Sequence, residues 1–192
     1  MYKSVFNSTL AAILLCAAPA YAADEGDHME GHSGDMGHAS HFYVVPKVVF
    51  GLGAEVTHDI HTYDGDSSTG FGVDLGYSLG GPWGVELTYS STKGDVKDGH
   101  GADLGQATYT GTGVLAVYTH RMPGHFALVG KLGWMSESEE IHGSTTDDSG
   151  IAYVIGAEYG ITEKVEAVAE FEGTNIESPK GNAVMVGAKF IF

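Results

Sequence analysis

Residues 70–80 read GFGVDLGYSLG, and their polarity alternates with a period of two. Large apolar side chains occupy every second position, and glycine, aspartate or serine occupies each position between them. The apolar set is Phe71, Val73, Leu75, Tyr77 and Leu79. This spacing predicts a β-strand with one apolar face and one face that is small or charged.

Seven further segments alternate in a similar way, and each is long enough for a tilted membrane-crossing strand, which needs about 9 to 11 residues. They are residues 42–56, 83–91, 108–120, 126–134, 151–161, 165–173 and 184–192. The segment 108–120 leaves open which of its faces is apolar. The two candidate sets are Leu115 with Val117, and Val114 with Ala116 and Tyr118.

The connectors between these eight segments alternate between long and short. The long connectors are residues 57–69, 92–105, 136–149 and 174–181, and the short ones are 80–82, 122–125 and 162–164. In an up-and-down meander, alternate connectors lie at the same end. Long acidic loops at one end and tight turns at the other are typical of outer-membrane barrels. We therefore predict an all-β fold, an eight-stranded antiparallel up-and-down transmembrane β-barrel over residues 42–192.

Aromatic residues on the apolar faces concentrate near the predicted strand ends. Those beside the short turns are Tyr77, Trp83, Phe126, Tyr159 and Phe192, and those beside the long connectors are Tyr89, Trp134, Tyr153 and Phe171. Two aromatic girdles match the two interfaces of a membrane, whereas the core of a soluble sandwich has no reason to place rings at both strand ends. This distribution favours the barrel.

The N-terminus has the features of a secretory signal peptide. Lys3 is followed by a short apolar run and then by Ala20-Tyr21-Ala22, which predicts a signal over residues 1–22. The only cysteine, Cys16, lies within it, so we expect a mature chain without disulfides or thiol chemistry. Residues 23–41 then form a leader rich in histidine, methionine and acids, which we expect to be flexible and periplasmic.

The chain is strongly acidic, with 25 acidic and nine basic residues and a formal charge of −16. Cleavage after Ala22 would remove Lys3 and no acid, so the mature protein would be more acidic by one charge. A chain of this charge lacks the basic surface that nucleic-acid binding requires. Disorder is also disfavoured, because 43% of the residues are hydrophobic.

The C-terminal residues Gly187, Phe190 and Phe192 are spaced as in the signal that the outer-membrane assembly machinery reads, although Met185 stands where a polar residue is more usual. Residues 41–192 resemble the small outer-membrane β-barrel family, the OmpA-like transmembrane domain and its eight-stranded relatives. The resemblance implies an outer-membrane location in a Gram-negative bacterium, a periplasmic N-terminus, and a structural or surface-interaction role without catalysis. The implied partners are membrane lipid, lipopolysaccharide and the assembly machinery.

Charged residues fall on the inward faces of the predicted strands. The expected lumen network comprises Lys47, Glu55, Asp74, Glu86, Lys131, Glu158, Glu166, Glu170 and Lys189. The interior of an eight-stranded barrel is just filled by side chains, so we expect these charges to pair as a plug. The alternative is a narrow cation-preferring channel, because acids outnumber lysines in this set.

The leader carries a possible metal site. Its candidate ligands are His28, Met29, His32, Met36, His38 and His41. Imidazole suits copper, zinc and nickel, and thioether suits copper(I), so weak binding of one of these metals is the functional interpretation. The alternative is that the leader is a solvated linker and that the protein has no cofactor.

Histidines also occur in the long connectors, at His58, His61, His100 and His142. We expect them to be solvated. The alternative is a functional role for these connectors, in which divalent cations bridge the neighbouring acids to lipopolysaccharide phosphates. His142 and Ser144 also resemble the His-x-Ser pair of lipid A-modifying hydrolases. A triad is not expected, because Glu158, the acid considered as its third member, is assigned to the opposite end of the barrel.

Overall fold

The computed structural model describes residues 40–58, 61–141 and 143–192, so the predicted signal and nearly all of the leader lie outside it. The described residues form strands and turns without an α-helix. In this part of the chain no helix is long and apolar enough to cross a membrane. The strands are β1 (His41–Gly51), β2 (Glu55–His58), β3 (His61–Gly65), β4 (Ser68–Ser78), β5 (Trp83–Asp98), β6 (Asp103–Arg121), β7 (Phe126–Ile141), β8 (Ser144–Thr162), β9 (Val165–Thr174) and β10 (Ala183–Ile191).

Eight of these strands close into an antiparallel barrel, as the sequence predicts. From β4 onward each barrel strand pairs with the next one along the chain, and β1 pairs with both β4 and β10. The closing pair runs from Tyr43 opposite Ile191 to Gly51 opposite Ala183. The backbone N–H of Phe192 then donates to the carbonyl of Phe42 at 3.0 Å. Closure removes the unpaired strand edges that a membrane cannot solvate.

The two faces of the wall differ as the period-two pattern predicts. Along β4, Phe71 and Leu75 are 58% and 54% exposed, whereas Asp74 between them is completely buried. The same outward exposure recurs on the other strands for Phe42, Trp83, Leu132, Trp134, Ile155 and Phe192. The barrel is therefore apolar outside and charged inside, which is the arrangement of a wall in contact with lipid.

The ambiguity in the fourth predicted strand is resolved. Leu115 and Val117 are buried in the barrel interior, while Ala116 and Tyr118 are exposed on the outer face. Tyr118 packs edge-on against Trp83 of the adjacent strand, with ring centroids 4.9 Å apart. Similar pairs near the short turns join Phe42 to Tyr77 and Phe126 to Tyr159.

The long connectors lie at one end of the barrel, but two of them are not loops. β5 continues to Asp98 and β6 begins at Asp103, while β7 continues to Ile141 and β8 begins at Ser144. The prediction of loops was wrong here because their threonine, serine and charged residues keep pairing across the hairpins. Polar strands are stable beyond the membrane, where both faces meet water. The first long connector likewise contains the β2–β3 hairpin, which pairs with the outer part of β5.

The connector between β9 and β10 is held against the barrel rim by backbone hydrogen bonds. Leu52 N–H donates to the carbonyl of Asn182, Gly53 N–H to that of Lys180, and Ala54 N–H to that of Pro179, at 2.8 to 3.0 Å. These bonds extend the β1–β10 seam beyond the ends of the two strands. As a consequence, the backbone of Lys180 is fixed above the lumen.

Candidate functional site

The barrel interior contains a central cluster of five charged side chains from five strands. Lys47 Nζ lies 2.7 Å from Asp74 Oδ2 and 2.9 Å from Glu170 Oε2. Lys131 Nζ lies 2.5 Å from Glu86 Oε2, 2.6 Å from Glu170 Oε1 and 3.2 Å from Asp74 Oδ2. The Tyr43 hydroxyl donates to Glu86 Oε1 at 2.9 Å. All five charged residues are at most 6% exposed. They therefore fill the middle of the lumen and do not line an open pore.

A second cluster lies toward the short turns. Lys189 Nζ is 2.9 Å from Glu158 Oε1 and 3.4 Å from Glu166 Oε2, and Arg121 reaches Glu166 Oε1 at 3.0 Å. Lys189 Nζ also lies over the ring of Tyr43, 4.4 Å from its centroid. Tyr43 therefore contacts both clusters, through its hydroxyl on one side and its ring on the other.

A third cluster lies toward the long connectors, and none of its members belongs to the predicted lumen network. Lys180 Nζ is 2.5 Å from Glu137 Oε2 and 3.7 Å from Glu172 Oε1. All three residues are at most 6% exposed. Glu172 follows Glu166 and Glu170 in the same alternation and was therefore detectable. Lys180 and Glu137 were not, because both lie in segments that were read as solvated loops.

Eight of the nine predicted lumen residues are buried in these clusters, and Glu55 is the exception. The prediction for Glu55 was wrong, since it is exposed and begins β2 in the hairpin beyond the barrel wall. The alternation predicts one strand over residues 42–56, but β1 ends at Gly51. The chain then turns at Gly53, whose positive φ of 73° favours glycine. This turn resets the alternation, so a face assignment carried from β1 does not apply to Glu55.

The pairing of the lumen charges is physically required. Each of the seven buried carboxylates in the three clusters lies within 3.7 Å of at least one lysine or arginine nitrogen. Removing a charge from water costs several kcal/mol, and only close partners offset that cost. The clusters therefore link strands that are distant along the chain.

The residues of the predicted assembly signal lie on the closing strand. Gly187 is opposite Lys47 in the β1–β10 ladder, and Phe190 is opposite Val44. The side chains of Phe190 and Phe192 are 40% and 75% exposed on the outer face. Both rings are thus accessible from the lipid side, and recognition by an assembly factor stays a prediction.

Most of the candidate metal ligands lie outside the described residues, namely His28, Met29, His32, Met36 and His38. His41 is described, begins β1 opposite Ser78, and lies 6.2 Å from the ring of Tyr43. Within the described ranges, no group of three or more histidine, cysteine or acidic residues is arranged to hold a metal ion. Metal binding by the leader stays a prediction.

Ser144 and Glu158, the serine and the acid considered for the hydrolase alternative, lie far apart in the barrel. Ser144 begins β8, whereas Glu158 lies near the other end of the same strand. At about 3.3 Å per residue the two are separated by roughly 45 Å. Glu158 is also engaged by Lys189. These two residues therefore cannot act in one triad.

A closed barrel with an apolar exterior and a charged, filled interior defines a membrane-spanning β-barrel protein. The chain belongs to the outer membrane protein beta-barrel domain family, whose model matches residues 8–192. Its location is accordingly the outer membrane. A comparison with curated protein sequences finds no match.

Solved structures share this fold at low sequence identity. The outer membrane protein OprG of Pseudomonas aeruginosa is 15% identical, with a TM-score of 0.65 over 81% of this chain and 97% of OprG. The attachment invasion locus protein Ail of Yersinia pestis, in complex with the heparin analogue sucrose octasulfate, is 21% identical. Its TM-score is 0.51 over 80% of this chain and 97% of Ail. At these identities the likeness concerns the fold alone.

Proposed function

We propose that the protein is a non-catalytic outer-membrane barrel with a structural or surface-interaction role. In this proposal the long-connector end faces the medium, and the N-terminus and short turns face the periplasm. The observation that carries it is the central cluster around Lys47 and Lys131. Because this cluster fills the middle of the lumen with paired charges, transport of ions through the barrel is disfavoured.

Single-channel recording tests the closed lumen against the cation-channel alternative. Refolded protein in a planar bilayer should give no steady conductance in potassium chloride. The double variant Lys47→Ala/Lys131→Ala removes both cations of the central cluster and is the positive control. Conductance through this variant would show that the recording can detect an open lumen. Regular cation-selective steps from the unmodified protein would overturn the proposal and favour the channel.

The proposed orientation can be tested by cysteine labelling, because the mature chain is expected to lack cysteine. His100 is exposed in the turn between β5 and β6, and Glu163 is exposed in the turn between β8 and β9. A membrane-impermeant maleimide should label His100→Cys on intact cells. It should label Glu163→Cys only after the outer membrane is permeabilised. The reverse pattern would show that the orientation is wrong.

The charge of the long-connector end narrows the surface partners that we propose. Asp64, Asp95 and Asp103 are exposed there. The structure of Ail contains a polyanion, but acidic side chains disfavour such a ligand in this chain. We propose instead that single carboxylates at this end meet lipopolysaccharide phosphates through divalent cations, while the outer wall contacts lipid. Chelation should then weaken lipopolysaccharide binding to refolded protein, and unchanged binding would oppose this part of the proposal.

A further inference from the structure

A cavity of about 600 Å³ lies at the long-connector end of the barrel, between the β2–β3 hairpin, the outer parts of β6 to β8, and the connector between β9 and β10. Its volume is in the range of small-molecule sites, about 300–1,000 Å³. None of the lumen clusters described above fills it, although Glu137 of the third cluster belongs to its wall.

One part of the cavity wall is apolar. The residues responsible are Val56, Tyr63, Leu104, Ile141, Ile176 and Pro179. Tyr63, Leu104 and Ile141 pack against the buried cluster of Val96, Ala107 and Tyr109. Ile176 packs against a second buried cluster inside the barrel. The apolar wall is therefore backed by packed side chains and is a built surface, so it offers a preformed site for an apolar group.

The remaining part of the wall is acidic. Its carboxylates are Glu137, Glu139, Asp147, Asp148 and Glu177, and the lining residues include no lysine or arginine. Lys180 contacts Glu137 through Oε2, while Oε1 of the same carboxylate is buried without a hydrogen-bond partner among the described residues. A buried carboxylate oxygen without a partner is costly, and a donor placed beside it would remove that cost.

The geometry points to a binding site for a small organic cation with an apolar body, such as an arylalkyl ammonium compound. Its apolar part would cover the wall formed by residues such as Tyr63, Leu104 and Ile141. Its ammonium group would donate to the carboxylates, with Glu137 Oε1 as the innermost acceptor. A bare metal ion would leave the apolar wall wet, a neutral molecule would place no positive charge beside the acidic wall, and an anion would be repelled.

This inference rests on the proposed function only in that the ligand would arrive from the medium. Binding itself is a property of the folded barrel and is measured without reference to orientation. A reversed labelling pattern would therefore mean that the ligand reaches the cavity from the periplasm. Absence of binding would mean that the site does not exist.

Three probes of nearly equal size separate charge from apolar burial. Refolded mature protein in nonionic micelles is titrated by calorimetry with naphthylmethylammonium, naphthylmethanol and naphthoate, with empty micelles as the blank. The cation should bind at least several-fold more tightly than the alcohol, and the anion should bind least. Equal affinity for the cation and the alcohol, or no binding of the cation, would overturn the proposal.

Matched variants locate the site. Asp147→Asn/Asp148→Asn removes two exposed carboxylates of the wall and should weaken binding of the cation roughly two- to fivefold per charge. Asp95→Asn makes the same chemical change at an exposed position of β5 outside the lining, and it should leave the affinity unchanged. Equal losses per removed charge in the two proteins would mean that the cation responds only to net charge, which would also overturn the proposal.

Glu137→Gln tests the innermost acceptor. It should weaken binding of the cation more than the loss of one exposed acid does, while binding of the alcohol is maintained. This change also disturbs Lys180. Binding of naphthylmethanol is therefore the control that shows that the cavity is still intact. If binding of the cation were unchanged while the alcohol still bound, the assignment of Glu137 would be wrong.

Discussion

Lys180, in the connector between β9 and β10, pairs with Glu137 of β7 inside the barrel, with Nζ 2.5 Å from Oε2. The two residues are distant in sequence and lie in segments whose composition suggests solvated loops. Their side chains are nevertheless almost completely buried. The pair links the connector to β7, and Glu137 also belongs to the wall of the cavity.

Lys180→Met should release this connector. The change leaves the buried carboxylates of Glu137 and Glu172 without their lysine, so we expect a loss of about 1–3 kcal/mol of stability. Protease should then cut within residues 175–182. Lys97→Met is the control, because its pair with Asp66 is 41% and 48% exposed and should contribute little to stability. Unchanged protease resistance in Lys180→Met would contradict the structure.

Lys131→Met should cost more. Lys131 contacts Asp74, Glu86 and Glu170 in the middle of the lumen, where water cannot readily replace it. Breaking a buried pair of this kind typically costs about 3–5 kcal/mol. Urea unfolding in lipid vesicles measures the loss. Lys164→Met, in an exposed turn, should stay within about 0.5 kcal/mol; equal effects at both positions would show that Lys131 is not buried.

Gly76→Ala should destabilise the barrel because Tyr43 lies directly opposite. Gly76 faces Tyr43 in the β1–β4 ladder, and a Cβ at this position would overlap the tyrosine ring. Displacing a ring that contacts two charge clusters should cost about 1–3 kcal/mol. Gly130→Ala is the matched control, since a Cβ there meets no atom within 4 Å. A loss at Gly130 equal to that at Gly76 would point to a general effect of alanine.

The turn between β5 and β6 should loosen in acid. The backbone N–H groups of Ala102 and His100 donate to Asp98 Oδ1 at 2.7 and 2.9 Å. The bond from Ala102 is the main cause that lowers the pKa of Asp98 below its usual range. A lowered pKa means that the carboxylate stabilises the turn above its unfolded pKa of about 3.9, and that this contribution is lost as the pH falls through the lower folded value.

Amide exchange at Ala102 should therefore accelerate below pH 3.9, and Asp98→Asn should reduce the pH dependence of that exchange. Asp95→Asn, in the same hairpin, should behave like the unmodified protein. Exchange at Ala102 that is independent of pH after correction for the intrinsic rate would refute the role of Asp98.

Phe192→Ala should lower the amount of protein in the outer membrane while export to the periplasm continues. The ring of Phe192 is 75% exposed and its backbone is held by Phe42, so the side chain is available to an assembly factor. Phe71→Ala removes another lipid-facing ring, 58% exposed, from β4. Equal losses for the two variants would indicate lost apolar surface in general and not a terminal signal.

The sequence by itself determined the class of fold and the two faces of the wall. The period of two assigns each side chain of a paired strand to the lipid or to the lumen, and the alternation of connector lengths assigns the ends. Both signals are local, so they place Lys47, Asp74 and Glu170 inside without knowledge of their partners. The same rule assigns Glu55 to the wrong face, because the turn at Gly53 interrupts the alternation.

Only the tertiary structure decided which charges meet and where the polar strands end. The hairpins at Asp98–Asp103 and Ile141–Ser144 extend the wall, because polar strands can also pair outside the membrane. These strands have no alternation of apolar residues, so the sequence pattern does not reveal them. Lys180 enters the lumen because backbone bonds from residues 52–54 hold its connector against the rim. Contacts between segments so far apart in the chain arise from barrel closure, and the periodicity within one segment does not specify them.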